Sequence, residues 1–167
     1  MKTEITKDLA NKKLHITRIF DAPRNMVWKA WTEPEWLDRW WAPLPYQTKT
    51  KSMDFKEGGF WLYYMLSPEG DKHWCRLDYL TIFKNDYYTS KDAFCDETGI
   101  ANTDVPVMHW KNSFLAQKEQ TKVVVVITFH QEEDIAKIIE MGFSEEFTSA
   151  HGNLDDLLSK ATRTQIQ

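Results

Sequence analysis

The chain has two cysteines, six glycines and six prolines in 167 residues, and each scarcity rules something out. Cys75 and Cys95 have neither metal-ligand spacing nor the numbers for a disulfide framework, and a reducing compartment disfavours a bridge between them. With so little glycine and proline the chain is neither collagen-like nor low in complexity, and no flexible linker divides it. No stretch approaches the roughly 20 apolar residues that span a bilayer. The opening MKTEITKDLANKK is polar and lacks the apolar centre of a signal peptide, so the expected compartment is the cytoplasm. The net charge is −4, and Lys12, Lys13, Lys49 and Lys51 are dispersed rather than gathered into the basic stripe that phosphate backbones require, which sets nucleic acid aside. The five histidines fall in separate segments, none at HxxxH or HExxH spacing, and no GxSxG, phosphate loop or CxxC occurs. No catalytic residue, metal or cofactor is therefore assigned.

Tryptophan is what the chain does have. Five of its eight lie between Trp28 and Trp41, in MVWKAWTEPEWLDRWWAP. Each buries a large surface and brings one N–H that needs a partner. Such an aromatic corner is either plain core or the wall of a cavity, and the helical spacing favours core.

Leu14 to Asp21 alternates and is β-branched, so it reads as a strand. Two short helices follow, Pro23 to Thr32 and Glu33 to Trp41, with Pro34 tolerated in a first turn. From there the period is close to two. Strands are expected at Tyr46 to Phe55, Gly59 to Ser67, His73 to Lys84, Tyr87 to Asp96, Met108 to Gln117 and Thr121 to Gln131. Ile135, Ile138 and Ile139 mark a short helix capped by Gly142, and Phe143 to Leu158 a longer one. Segregated helices and sequential strands give an α+β domain with a seven-stranded antiparallel sheet curled on the last helix. A single domain over 1–167 is expected, its core about 14–159, with poorly ordered tails at 1–12 and 161–167. The first strand should pair with the last, leaving Tyr46 to Phe55 at the opposite edge. A two-residue loop at Asn85-Asp86 would set Cys75 opposite Asp96 and put the two cysteines on opposite faces.

That order, with HITRIFDAPRNMVWKAWTEPEWLDRWWAP, KEGGFWLYYMLSPEGDKHW and EMGFSEEFTSAHGNLDDLL, resembles the family named for activators of the heat-shock-protein-90 ATPase. Through it the chain is similar to the helix-grip superfamily of START, pollen-allergen-like and polyketide-cyclase domains. The resemblance implies a sheet gripping the C-terminal helix around a cavity. It is unspecific for activity, since such domains differ in what the cavity holds. The family often carries glycine where this chain has Leu77, a change that would narrow the cavity.

The leading expectation is non-catalytic binding of a small hydrophobic or aromatic molecule. Its cavity wall is expected to be Trp40, Trp41, Trp61, Tyr63, Met65, Trp74, Trp110, Phe143 and Phe147, with Arg76 as a charged anchor. Arg18 and Arg76 each share a strand face with apolar residues, which fits either snorkelling or a group aimed into a pocket. Cys75 reads as an inert strand thiol. His151 and Asp155, four apart on the last helix, suit a solvated pair worth a few tenths of a kcal/mol. Gly152 inside that helix fits either close approach by a ligand or simple tolerance. Both faces of Gly59 to Ser67 are large and apolar, which calls for a covering loop or a partner. A stress-related co-chaperone and a cyclase or hydrolase of polyketide-like substrates stay open as alternatives, as do a homodimer and a chaperone contact.

Overall fold

A computed structural model describes residues 2–166, with side chains up to Arg163. Eight strands form one antiparallel sheet: β1 (Glu4–Asp8), β2 (Lys13–Phe20), β3 (Gln47–Met53), β4 (Phe60–Leu66), β5 (Lys72–Phe83), β6 (Tyr87–Phe94), β7 (Met108–Gln117) and β8 (Gln120–Thr128). Helices α1 (Arg24–Thr32) and α2 (Pro34–Trp40) fall between β2 and β3; α3 (Glu132–Glu140) and α4 (Phe143–Ile166) close the chain. The order across the sheet is β1-β2-β8-β7-β6-β5-β4-β3. As expected, β2 lies against β8 and β3 is an edge, where Lys49 and Lys51 discourage pairing with another chain.

Two expectations need correction. The sheet has eight strands, not seven, because part of the expected tail at 1–12 is β1, paired with β2. Its sequence EITKD lies at an edge with mostly wet side chains, so no apolar alternation marks it. At the other end, 161–166 continue α4, while Met1 and Gln167 lie outside the described residues.

The hairpin joining β5 and β6 also differs from the expected register, in two steps. Phe83 rather than Lys84 pairs with Tyr87, so the loop has three residues, with Asn85 at φ 63°. A bulge between Tyr79 and Thr81 then moves the ladder one residue further, and Cys75 faces Phe94. One shift alone would have set the cysteines face to face; two return them to opposite faces. Both are free thiols.

The tryptophan run folds as a bent pair of helices. Glu33 is extended (φ −110°, ψ 133°) because Pro34 disfavours helix before it, so one residue ends α1 and begins α2. Trp28, Trp31, Trp40 and Trp41 are buried on the concave face of the sheet, while Trp36 is half-buried. Trp31 touches Trp40, Trp41, Phe114 and Phe147 at ring-centroid distances of 4.9–6.3 Å. Across this cluster lies α4, with Phe147, Ala150, Leu154 and Leu158 buried and Glu145, Glu146 and Asp156 exposed. Asn153 ties it to the end of α2 by donating to the Ala42 carbonyl at 3.0 Å. Gly142, at φ 91°, ends α3 and turns the chain into α4. A Cβ on Gly152 would meet nothing within 4 Å, so that glycine reflects tolerance and no close approach.

The second large face of β4 is covered from within the chain. Leu62, Tyr64, Trp74 and Arg76 share the convex side, where the chain after β6 folds back and Cys95 bridges Ala101. Lys51 donates to the Glu97 carbonyl at 3.1 Å and stands 5.6 Å from the Trp74 ring centre. Arg76 lies 4.3 Å over Phe60, with Gly99 close against its guanidinium. These are cation–π contacts with snorkelling stems, so both arginine and lysine shield apolar surface.

Candidate ligand cleft

A mostly apolar cleft of about 300 Å³ lies between the concave sheet and the start of α4. Trp41, Trp110, Phe143 and Phe147 wall it, Tyr63, Met65, Cys75 and Asp92 lie at its sheet side, and Met141, Glu146 and His73 stand at its exposed rim. The four walls arrive from three elements. Trp41 follows α2 and donates its indole N–H to the Tyr63 hydroxyl at 2.9 Å. Phe143 and Phe147 are four apart on α4 and stack at 5.2 Å, with Trp110 edge-on to both. Phe143 is half-buried rather than buried, since its ring borders the opening.

Of the ten residues expected in the cavity, six line the cleft: Trp41, Tyr63, Met65, Trp110, Phe143 and Phe147. Trp40 and Trp61 stand behind the wall, Trp40 against Trp41 at 5.3 Å and Trp61 stacked on Tyr63 at 3.9 Å. Trp74 and Arg76 are on the other side of the sheet. Tyr63 pairs with Cys75 and Tyr64 with Trp74, so His73, Cys75 and Leu77 are the concave residues of β5. Arg76 is bound to Asp78 at 3.0 Å and cannot anchor a molecule in the cleft. Leu77 faces Trp61 and is buried in the core beyond the cleft, where a glycine would leave space.

Asp92 is the group that sequence reading overlooked. Tyr88, Ser90, Asp92 and Phe94 alternate onto the concave face of β6, and the buried Tyr88 is the signal that could have placed it. Burial pushes its carboxyl up to about 7, opposed by the neighbouring Trp110 indole N–H and the Met108 backbone. Neither Asp92 Oδ1 nor Trp110 Nε1 completes a hydrogen bond, and Ser90 Oγ and Asn112 Oδ1 on the same face are also unpartnered. Buried polar atoms normally find partners. Cys75, by contrast, is a poor nucleophile: burial pushes its thiol up to about 12.

Behind the aromatic wall runs a separate polar chain. Arg18, 6% exposed, donates to Thr3 Oγ1 at 2.7 Å and pairs with Asp155 of α4. The Thr3 hydroxyl then meets His151 Nδ1 at 2.9 Å. Arg18 can only donate, but the Thr3 hydroxyl has two acceptor lone pairs and one proton, so it can either donate to or accept from Nδ1, while His151 Nε2 has no partner. Burial first, then the Arg18 charge, lowers its pKa to about 3. The expected solvated His151–Asp155 pair is thus replaced by a buried histidine and an interhelix–sheet ion pair.

The family model for activator of Hsp90 ATPase homolog 1-like protein matches residues 21–159. The chain belongs to this family. Among solved structures, the activator-like fold recurs in a protein of Arthrobacter aurescens, 30% identical over 94% of this chain and 91% of that one, with a TM-score of 0.88. A Mycobacterium smegmatis protein is 28% identical over 95% and 97% of the two chains, at 0.87. One from Staphylococcus epidermidis is 27% identical over 94% of each, at 0.82. Among curated proteins no match is found. Among the described residues of this family member no helix is long and apolar enough to cross a membrane. Among the described residues no cluster of three or more His, Cys, Asp or Glu side chains is set to hold a metal ion.

Phe147→Ala tests the wall. Complete truncation of a packed phenylalanine costs about 3–5 kcal/mol. Phe147 is 6% exposed yet borders the cleft on one side, so the loss in chemical denaturation should fall near the lower end, about 3 kcal/mol. A loss below about 1 kcal/mol would mean that the ring is not part of the core.

Proposed function

We propose that the protein binds a small hydrophobic or aromatic molecule in the cleft between sheet and α4, without transforming it. The supporting observation is a cleft walled by four rings from three elements, open past Met141 and Glu146, with polar atoms on its sheet side that the protein itself leaves unpaired. Ligand sites have this make-up, many apolar contacts and a few convergent polar groups. A volume of about 300 Å³ is at the small end of their range of roughly 300–1,000 Å³, which suits a molecule of one or two fused rings. The cyclase alternative calls for a pocket arginine, tyrosine or histidine as acid; Arg76 is on the other side of the sheet, which leaves it Tyr63 and His73. The interaction-module alternative relied on the doubled apolar faces of β4, and the covering loop and cations account for the second face.

Titration with the neutral fluorophore N-phenylnaphthylamine tests this reading. Saturable fluorescence enhancement is expected, lost in Met65→Trp, which fills the cleft from β4 without touching the core behind it. No saturable binding, or binding unchanged by Met65→Trp, overturns the reading.

A further inference from the structure

We propose that the cleft selects organic cations: its ligand is an aromatic or hydrophobic amine whose charged nitrogen meets Asp92. The inference rests on the cleft being a ligand site and names the chemistry that the site prefers. Asp92 is half-buried and lines the cleft, and its Oδ1 has no hydrogen-bond partner although that atom is shut off from solvent. No lysine or arginine contributes to holding its charge; only the Trp110 indole and the Met108 backbone oppose the burial. Elsewhere the protein treats a buried charge differently, matching Arg18 with Asp155. An unmatched acid in an apolar site is costly unless something pairs with it.

The surroundings repeat the same preference. The charged side chains lining the cleft are Asp92 at the sheet and Glu146 at the mouth, with no lysine or arginine among the described lining residues. The remaining titratable groups lining the cleft with Asp92 are Tyr63 of β4, Cys75 of β5, and Tyr46 and His73 towards the opening. Burial, with Asp92 adding to it, keeps the protons on Tyr63 and Cys75, and a phenol or thiol could in any case never become a positive partner for the carboxylate. Glu146 is itself raised from its ordinary value by partial burial and by Glu145. Glu146 is exposed at the mouth, so Asp92 sets the sign of the potential inside the cleft and Glu146 adds to it at the entrance. The walls add indole and phenyl rings, whose π systems attract cations by their quadrupole. Carboxylate and aromatic wall together are the chemistry of an ammonium site, and both repel an anion.

Three probes sharing one ring separate the possibilities by calorimetry: naphthylethylamine, naphthylethanol and naphthylpropionate. At about pH 8 the amine should bind at least about tenfold more tightly than the alcohol, with the carboxylate weakest. Lowering the pH to about 5.5 protonates Asp92 and should bring amine and alcohol within about threefold, the alcohol itself unchanged. Asp92→Asn should have the same effect at every pH, and Glu146→Gln a smaller one. If the alcohol binds and the amine gains nothing over it at high pH, the cation preference is wrong while ligand binding stands. If no probe binds, both fail. A carboxylate that binds best overturns the proposal directly. The pH series on the unaltered protein decides the matter even if Asp92→Asn does not fold.

Discussion

Asp92→Asn is expected to stabilise the protein at about pH 8 and to reveal an acid weakness that the unaltered chain hides, while His151→Gln does the reverse. The folded Asp92 carboxyl keeps its proton up to about 7, whereas its ordinary value is 3.8. Its contribution to stability is therefore fully present below the lower value and lost as the pH rises to the higher one. The folded His151 takes up its proton only near about 3, against an ordinary 6.5. Its contribution is present above 6.5 and is lost as the pH falls. Each slope is roughly 1.4 kcal/mol per pH unit, so each window spans about 4–5 kcal/mol. The two windows overlap across mildly acid pH with opposite signs and largely cancel. Denaturation midpoints of the unaltered protein should thus change little there. Those of Asp92→Asn should fall steeply towards acid, and those of His151→Gln should rise. Parallel profiles for all three proteins would show that neither group titrates as its surroundings imply.

The second large effect is asymmetric. Asp155→Ala should cost about 3 kcal/mol or more, because removing one partner strands a charge and breaking buried pairs costs about 3–5 kcal/mol. The stranded group is the Arg18 guanidinium, 6% exposed, left with Thr3 and the Phe20 ring 5.6 Å away. Arg18→Met should cost less, since Asp155 is 32% exposed and can turn to water. The double replacement Arg18→Met with Asp155→Leu should recover most of the loss, as apolar substitutes for ion pairs often do. Urea denaturation of the three variants checks this, and a larger loss for Arg18→Met than for Asp155→Ala would contradict the account.

Strand parity explains what could and could not be read in the sequence. Where one face is clearly apolar, as in Leu14, Ile16 and Phe20, alternation placed β2 and its pairing with β8. On β5 both faces carry large residues. Trp74 and Arg76 looked like an inward pair because tryptophan is so often core, yet Cys75, Leu77 and Tyr79 are the buried set. The covering loop that makes Trp74 half-buried on the convex side is a long-range effect, invisible to local pattern. Asp92 was overlooked for the opposite reason: a charged residue in TSKDAF reads as the wet face, and only its step from Tyr88 argues otherwise. The Trp28–Trp41 corner was legible as aromatic packing, and it serves both as core at Trp31 and Trp40 and as cleft wall at Trp41.

The connection of sheet ends carries a consequence for biosynthesis. Leu14 lies opposite Ile127, and Thr3 reaches His151 across 148 positions. The tryptophan run emerges from the ribosome well before β8 and α4, against which it is finally packed. At about 5–20 residues per second, this most aromatic stretch of the nascent chain waits on the order of ten seconds for its cover. Vectorial folding therefore cannot protect it, and the high sequence separation of its closing contacts makes the final collapse slow as well. The cover over Trp31, Trp40 and Trp41 is therefore complete only once α4, with Phe147 and His151, has emerged.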